Sequence, residues 1–590
     1  MKKIFYYITA AAMVLSLFAG CAAKNTDTMD TRSNTDTDTD TDTMVSDNTA
    51  SENTDAKILV LSDNGITLDG NAVDEDASSP VYISHDIVYY EDKTEYESGN
   101  AYGEGSEDER HTAEEATEHT VVNIAEAGTY SVSGTLSKGQ LLIDLGEDAK
   151  TDETAVVELV LDGANVTCTV APAIVFKNVY ECCADTDADS ASSTVDTSAA
   201  GAIITIASGS VNTMTGSHVA KIYKDSDDQK KLVKQDGAVY SYMSMNVEGG
   251  DTGTLNIIAD NEGIDTEMHL TINGGNINIT SNDDGINTNE DGVSVTTING
   301  GNLHIVAGLG SEGDGIDSNG WLVINGGTVI SSANPASDAG LDSDLGSYVN
   351  GGTVVALGST MDWAESDSDQ VTMNLQFAEY KNSGDAIVVT TTDGEVIFAY
   401  DPSEDELLGA NERKYMGAVI SCPDFEVGET YNVYIGGAVE GEELAGVYSS
   451  VKSYSAGTLQ SYTGTDVFGR DRMMPEGMPG EKPEVFDGEQ PELPEDFNGE
   501  LDGRSNRMEM TPPENPDGLE MTPPENPDGF EMTPPDGGRT QDGNMPALPD
   551  GTVVPDFFAG EDGRIMAVGD PSTEFYMQDK VNCFSGVSNA

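Results

Sequence analysis

Basic side chains are scarce in this sequence. Its 590 residues carry 27 Lys and Arg against 106 Asp and Glu, a formal charge of −79 at pH 7. Such a surface repels nucleic-acid phosphates and anionic lipid head groups, so nucleic acid is excluded as a partner. It attracts cations, above all hard ones such as Ca²⁺ that prefer carboxylate and carbonyl oxygens; solubility alone is the plainer use of the charge. Tryptophan occurs only as Trp321 and Trp363. Cysteine is sparse too. Cys21 closes an N-terminal apolar run, and Cys168, Cys182, Cys183, Cys422 and Cys583 remain. Five is an odd number, and no pair has C-x-x-C spacing, which argues against a zinc site and a dense disulfide framework. One bridge among Cys168, Cys182 and Cys183 stays open, although adjacent cysteines rarely bond each other; small buried residues are the other reading. After the run Ile4 to Phe18, no segment is long and apolar enough to cross a membrane.

The N-terminus carries an address. Lys2 and Lys3 precede the apolar run, and Leu17-Phe18-Ala19-Gly20-Cys21 follows. This order resembles the lipobox of bacterial lipoproteins. The resemblance implies cleavage before Cys21, lipidation of Cys21, and a place on the outer face of a bacterial cell membrane; an ordinary signal peptide, or a membrane span a little too short, is the alternative. The chain then divides by composition. Residues 1–20 read as the signal, and 21–56 as a disordered Thr/Asp-rich tether with too few apolar residues to build a core. Residues 57–370 are strand-like, and 371–470 suggest a β-rich cap or sandwich. Residues 471–550 form a Pro/Gly/Glu-rich linker in which Met510-Thr511-Pro512-Pro513 returns at Met521. Residues 551–590 have no assignment. The Asp/Ser/Ala stretch Glu181 to Ala200 reads as a surface insertion.

The informative part repeats. Asn-Gly-Gly begins at Asn273, Asn299, Asn325 and Asn350, in steps of 26, 26 and 25 residues, and Glu248-Gly249-Gly250 extends the series back. A period in the twenties with strand-like units marks a solenoid. Apolar residues alternate on both sides of the triplet: Met245 and Val247, Leu270 and Ile272, and Leu322 and Ile324 before it, Ile277 and Ile279, and Leu303 and Ile305 after it. Alternate side chains of a strand share a face, so each unit supplies two strands with inward apolar faces and a glycine turn. The expected fold is all-β, a parallel β-helix followed by the small cap.

A second motif recurs within each unit: Glu262-Gly263-Ile264-Asp265, Asp284-Gly285-Ile286-Asn287, Asp314-Gly315-Ile316-Asp317 and Ala339-Gly340-Leu341-Asp342. Its acids are predicted to line one edge. Like charges on neighbouring strands repel, and a row of oxygens suits Ca²⁺. The candidate metal ligands are therefore Glu262, Asp265, Asp283, Asp284, Asn287, Asp314, Asp317, Asp342 and Asp344; acids splayed into water are the alternative. An EF-hand is excluded, because the loop opening at Asn287 would place Ile298 where a bidentate Glu is needed.

Catalysis has little support in the sequence. Many parallel β-helices are pectate lyases or polygalacturonases, and their lyase base is usually Lys or Arg. No Lys or Arg occurs from Asp236 through Tyr380. Polygalacturonases pair acids with Gly-His-Gly and Arg-x-Lys elements, of which only Asp283-Asp284 is present. An acid pair alone can hydrolyse a glycoside in principle. His269 and His304 fall out of phase with the inward residues and are expected to be solvated. Trp321 is also out of phase, stacks in register with His269 and Val295, and offers a flat face to a sugar ring. Trp321, His269 and Tyr348 are the candidate ligand contacts, and Trp363 is a weaker one.

These motifs carry a family resemblance. Gly249-Gly250, Asp284-Gly285-Ile286-Asn287, Ile298-Asn299-Gly300-Gly301, Asp314-Gly315-Ile316-Asp317 and Ile324-Asn325-Gly326-Gly327 resemble the clostridial carbohydrate-binding domain family of secreted proteins. Gly128-Thr129-Tyr130-Ser131-Val132-Ser133-Gly134 and Leu159-Val160-Leu161-Asp162-Gly163 resemble its opening strands, so the similarity runs from about Thr120 to Tyr462. It implies a right-handed parallel β-helix, bound calcium, a lyase-like shape without lyase activity, and binding to plant cell-wall polysaccharides such as acidic pectin or cellulose. The expected function is a calcium-dependent, surface-anchored polysaccharide binder. A lyase or hydrolase and a structural adhesin are the alternatives.

Overall fold

The computed structural model describes residues 56–91, 103–183, 188, 190–223, 231–359, 363–382, 385–405, 407–408, 413–455, 457–466, 557–559 and 565–590. The expected signal, Cys21, nearly all of the tether and the linker 471–550 lie outside them. The described chain is all-β apart from short helical turns such as Ala113–Thr117.

Three columns of parallel strands account for most of it. The first runs through Val157–Thr167, Ala202–Ile206, Met245–Gly249, Leu270–Ile272, Val295–Ile298, Trp321–Ile324 and Gly346–Val349. The second stacks Val211–Gly216, Thr254–Ala259, Asn276–Ser281, Asn302–Val306, Thr328–Ser332 and Thr353–Gly358. The third stacks Thr120–Ile124, Gly139–Asp144, Ile174–Asn178, Gly237–Ser241, Glu262–Thr266, Ile286–Thr288 and Ile316–Ser318. From Met245 to Thr353 the chain visits the first two columns in turn, one repeat per layer. The inward faces of all three meet in one core that includes Ile264, Leu270, Ile272, Ile277, Ile279 and Ile286. No single coil can bury that face; each needs the one stacked on it.

Asn-Gly-Gly joins the first column to the second. The second glycine takes the left-handed region, with φ of 95° at Gly275, 83° at Gly301, 84° at Gly327 and 86° at Gly352, where a Cβ would be strained. The asparagines form a ladder. The Nδ2 of Asn299 donates to Asn273 Oδ1 at 2.8 Å, Asn325 to Asn299 at 2.9 Å, and Asn350 to Asn325 at 2.9 Å. Glu248 starts the ladder by accepting from Asn273 at 2.6 Å.

The outward face of the last coils is covered. Thr353–Gly358 pairs antiparallel with Lys414–Ser421, which pairs with Thr372–Asn382. The segment left unassigned by the sequence completes this cap: Val581–Asn589 runs parallel to Thr372–Asn382 and antiparallel to Thr458–Asp466. Val306, Ile330 and Val355 from the second column pack into the cap core with Phe377, Phe398, Phe575 and Phe584.

That cover corrects one expectation. His304 is not solvated; its Nε2 lies 2.7 Å from Asp405 Oδ2 of the cap, and both side chains are buried. His269 is not solvated either and is 4% exposed. Its Nδ1 accepts the Val295 backbone N–H at 3.0 Å. Part of the expected surface insertion folds over it, and Ser190, Ala191, Ser192, Thr194 and Val195 share a cavity of about 180 Å³ with Cys183, His269 and Val293. Burial lowers the His269 pKa to about 4, so the ring is neutral.

Candidate functional site

The third column carries the acids. Its register places Tyr240, Asp265, Asn287 and Asp317 in one row, and Asp342 continues it by donating its backbone N–H to Ile316 O at 2.8 Å. The neighbouring row runs through Gly263, Gly285, Gly315 and Gly340. A Cβ on Gly285 would lie 2.5 Å from Gly315 O and 2.3 Å from Ile305 Cγ2. Glycine is therefore forced by close approach of successive coils, and the flanking acids are stacked with it.

Most of the acids are drawn back from water rather than splayed into it, Asp344 excepted. Asp265 is 0% and Glu262 6% exposed, and Asp283, Asp284, Asp314, Asp317 and Asp342 are half-buried; Asp344 is exposed. They separate into two groups. In the first, carboxylate oxygens of Asp236, Glu262 and Asp265 all lie within 4.8 Å of one another. Glu262 Oε1 accepts from Asn287 Nδ2 at 3.2 Å, and Asp265 Oδ1 accepts from Asn289 Nδ2. Glu262 Oε2, Asp265 Oδ2 and Asn287 Oδ1 are buried with no hydrogen-bond partner.

A lysine from outside the repeats enters this group. Lys234 lies on the hairpin Val219–Tyr223 and Lys231–Gln235. Its Nζ is 3.5 Å from Asp236 Oδ2 and donates to Asn289 Oδ1. Burial alone would lower its pKa, but the charges of Asp265, Asp236, Glu262 and Glu267 raise it, so it stays an ammonium. Burial, together with Asp265, Asp236 and Asp284, pushes Glu262 well above the usual carboxylate range; burial, Asp236 and Glu267 push Asp265 up against the opposing pull of Lys234.

The second group comprises Asp283, Asp284, Asp314, Asp317, Asp338, Asp342 and Asp344. Asp284 Oδ1 accepts the Asp314 N–H at 2.7 Å, and Asp314 Oδ1 accepts the Ala339 N–H at 2.5 Å, each reaching the next coil. Burial raises all three of Asp284, Asp314 and Asp317, and the charges that add to it are other aspartates: Asp317, Asp283 and Asp314 on Asp284; Asp342, Asp317 and Asp338 on Asp314; Asp342, Asp344 and Asp283 on Asp317. Among the described residues no three of these acids bring one oxygen each within 4.8 Å of one another, so the nine predicted ligands do not form one closed cage.

Sequence reasoning missed Asp236 and Lys234. Asp236 stands two residues after Lys234, at the entry to the third column, and that adjacency to the repeats was the available signal. A second basic residue also comes in from outside: Arg413 of the cap donates to Gly308 O at 3.2 Å and to Ala333 O. Among the aromatic candidates, Trp321 is half-buried and sits in register between Val295 and Gly346, while Tyr348 is half-buried opposite Val323. Trp363 is half-buried as well. His269 lies under the insertion rather than beside them on an open face.

A family model described as carbohydrate-binding domain-containing protein matches residues 118–200 and 186–393. The matched stretch holds most of the coils and every acid of both groups. A relative from Acetivibrio thermocellus, also described as a carbohydrate-binding domain-containing protein, is 30% identical over 158 residues. Those residues are 27% of this chain and 44% of the relative, so less than half of the relative's length is spanned. Among solved structures, a polysaccharide lyase-like protein from C. thermocellum, studied as a gadolinium derivative, is 20% identical. The alignment covers 50% of this chain and 92% of the other at a TM-score of 0.27, too low to carry an argument about fold.

Proposed function

We propose that this chain is a polysaccharide-binding protein of the carbohydrate-binding domain family, built on a right-handed parallel β-helix and dependent on calcium. The family match over the coils carries the reading. Three in-register parallel columns with one repeat per layer support the β-helix, and the strong preference of parallel crossovers for one hand supports its sense. For calcium, the support is chemical. The donors are hard oxygens, and in the second group the charges pressing on the aspartates are other aspartates. Asp284, Asp314, Asp317 and Asp342 are the residues we assign to ion binding, pairs of them on successive coils sharing an ion with water and backbone oxygens. A bound divalent cation supplies positive charge that an acidic glycan can share; without it the −79 surface repels a polyanion. Acidic pectin and cellulose are the proposed ligands, with Trp321 and Tyr348 as sugar platforms.

Binding is favoured over catalysis by the engagement of Lys234, whose ammonium lies 3.5 Å from Asp236 Oδ2 and donates to Asn289 Oδ1. A general base must be able to shed its proton near the working pH. The surrounding carboxylates hold this ammonium protonated. Incubation with polygalacturonate should yield neither unsaturated ends nor new reducing sugars; either product would establish an enzyme. We place the chain on the outer face of the cell membrane through a lipid on Cys21, and a lipid-modified Cys21 at the mature N-terminus by mass spectrometry is the expected finding. A glycan array with and without calcium tests the binding reading as a whole.

A further inference from the structure

We propose that the Asp236, Glu262 and Asp265 cage is a second site for a hard divalent cation, and that the Lys234 ammonium, standing at its rim against Asp236, keeps the ion out. The inference rests on the calcium reading only for the kind of ion, because the cage itself stands on geometry.

The cage has the size of an ion site. Opposite oxygens around a Ca²⁺ at about 2.4 Å are about 4.8 Å apart, and the three carboxylates converge to within 4.8 Å. Glu262 and Asp265 each present one buried oxygen that no donor satisfies, and Asn287 adds a third. Buried oxygens without partners are costly and point to a missing positive partner. The charged groups facing the cage are its own Asp236, Glu262 and Asp265 with Glu267, Asp284 and Lys234, and the Tyr240 hydroxyl donates to Glu267. One ammonium against the three cage carboxylates leaves two negative charges uncompensated when all are ionised. A divalent ion in its place leaves one.

Lys234 is delivered by an element outside the columns. The hairpin pairs with itself and with Gly103–Glu104 and packs Val219 and Ala220 with Val121 and Val170, whereas the three acids belong to the third column and its entry. The ammonium is held by Asp236 and Asn289. It therefore competes with an ion for Asp236 and opposes it by charge at Glu262 and Asp265, as a tethered cation of high local concentration.

The test counts ions on the full chain by Tb³⁺ luminescence and calorimetry with Ca²⁺. Lys234→Met should bind one equivalent more than the native protein. Lys234→Gln, which can still donate to Asn289, should do the same and covers the case in which the methionine variant misfolds. Lys234→Arg should keep the native count, because a guanidinium still neutralises the cage. Adding Glu262→Gln to Lys234→Met should remove the extra equivalent. Equal counts for the native, Met and Gln proteins, all folded by circular dichroism, would overturn the proposal while leaving calcium at the second group standing. An extra equivalent in the variants over a native protein that binds none would uphold the cage and remove calcium from the second group.

Discussion

Asp317→Asn removes one negative charge from the crowded column with almost no change of shape. Burial, then Asp342, Asp344 and Asp283, raise Asp317 from an ordinary 3.8 to about 7, and Asp284 and Asp314 move the same way. A raised carboxyl prefers its protonated form in the folded state. Its contribution to stability is therefore complete below 3.8 and lost as pH climbs through the folded value. With metal chelated, stability should fall between about pH 4 and pH 8. A rise of some three units corresponds to roughly 4 kcal/mol at most. Because neighbouring acids share the strain, one Asn recovers on the order of 1–2 kcal/mol at pH 8, a few degrees of melting temperature for a chain of this size. The assay is thermal unfolding by circular dichroism in EDTA from pH 4 to pH 8. The variant should melt above the native protein at pH 8, with the gap closing toward pH 4. In saturating Ca²⁺ the order should reverse, since the variant has lost a ligand. A variant that melts below the native protein in EDTA at pH 8 would refute the reasoning.

Other perturbations probe the frame around the acids. Gly285→Ala drives a Cβ against Gly315 O and Ile305 Cγ2, and overpacking with a backbone partner should cost about 3 kcal/mol or more by chemical denaturation. Ending the chain at Asp556 removes Phe575, Met577, Phe584 and Val587, all buried in the cap. At roughly 1.5–3 kcal/mol per side chain the cap should open, read as new binding of a hydrophobic dye. Trp321→Ala should weaken glycan binding about tenfold, in line with the 0.5–1.5 kcal/mol of an aromatic contact, while leaving the melting temperature within a few degrees.

Local chemistry made the coils legible. Asn-Gly-Gly can be read because Gly275, Gly301, Gly327 and Gly352 need a positive φ, and the row through Asp265, Asn287 and Asp317 can be read because repeat register fixes strand register. What the sequence hid is non-local. Lys234 precedes the base-free stretch that opens at Asp236, and only the hairpin geometry turns it onto Asp236. His304 does sit out of phase with the coil core, but its outward face meets Asp405, 101 residues away. The last strand pairs Thr372 with Val581 across the linker, and no local pattern announces such a partner. Repeat spacing places Asp265, Asn287 and Asp317 in one row, yet periodicity says nothing of how far each side chain is withdrawn from water, so the division into two groups is visible only in the fold.

The central claim is that positive ions neutralise the aspartate column and let this acidic surface hold a glycan. Affinity electrophoresis or calorimetry on polygalacturonate, with the native chain in millimolar Ca²⁺ and then in excess EDTA, tests it most directly. The account predicts binding in calcium, loss in EDTA and recovery when calcium is restored. Undiminished binding in EDTA would contradict it.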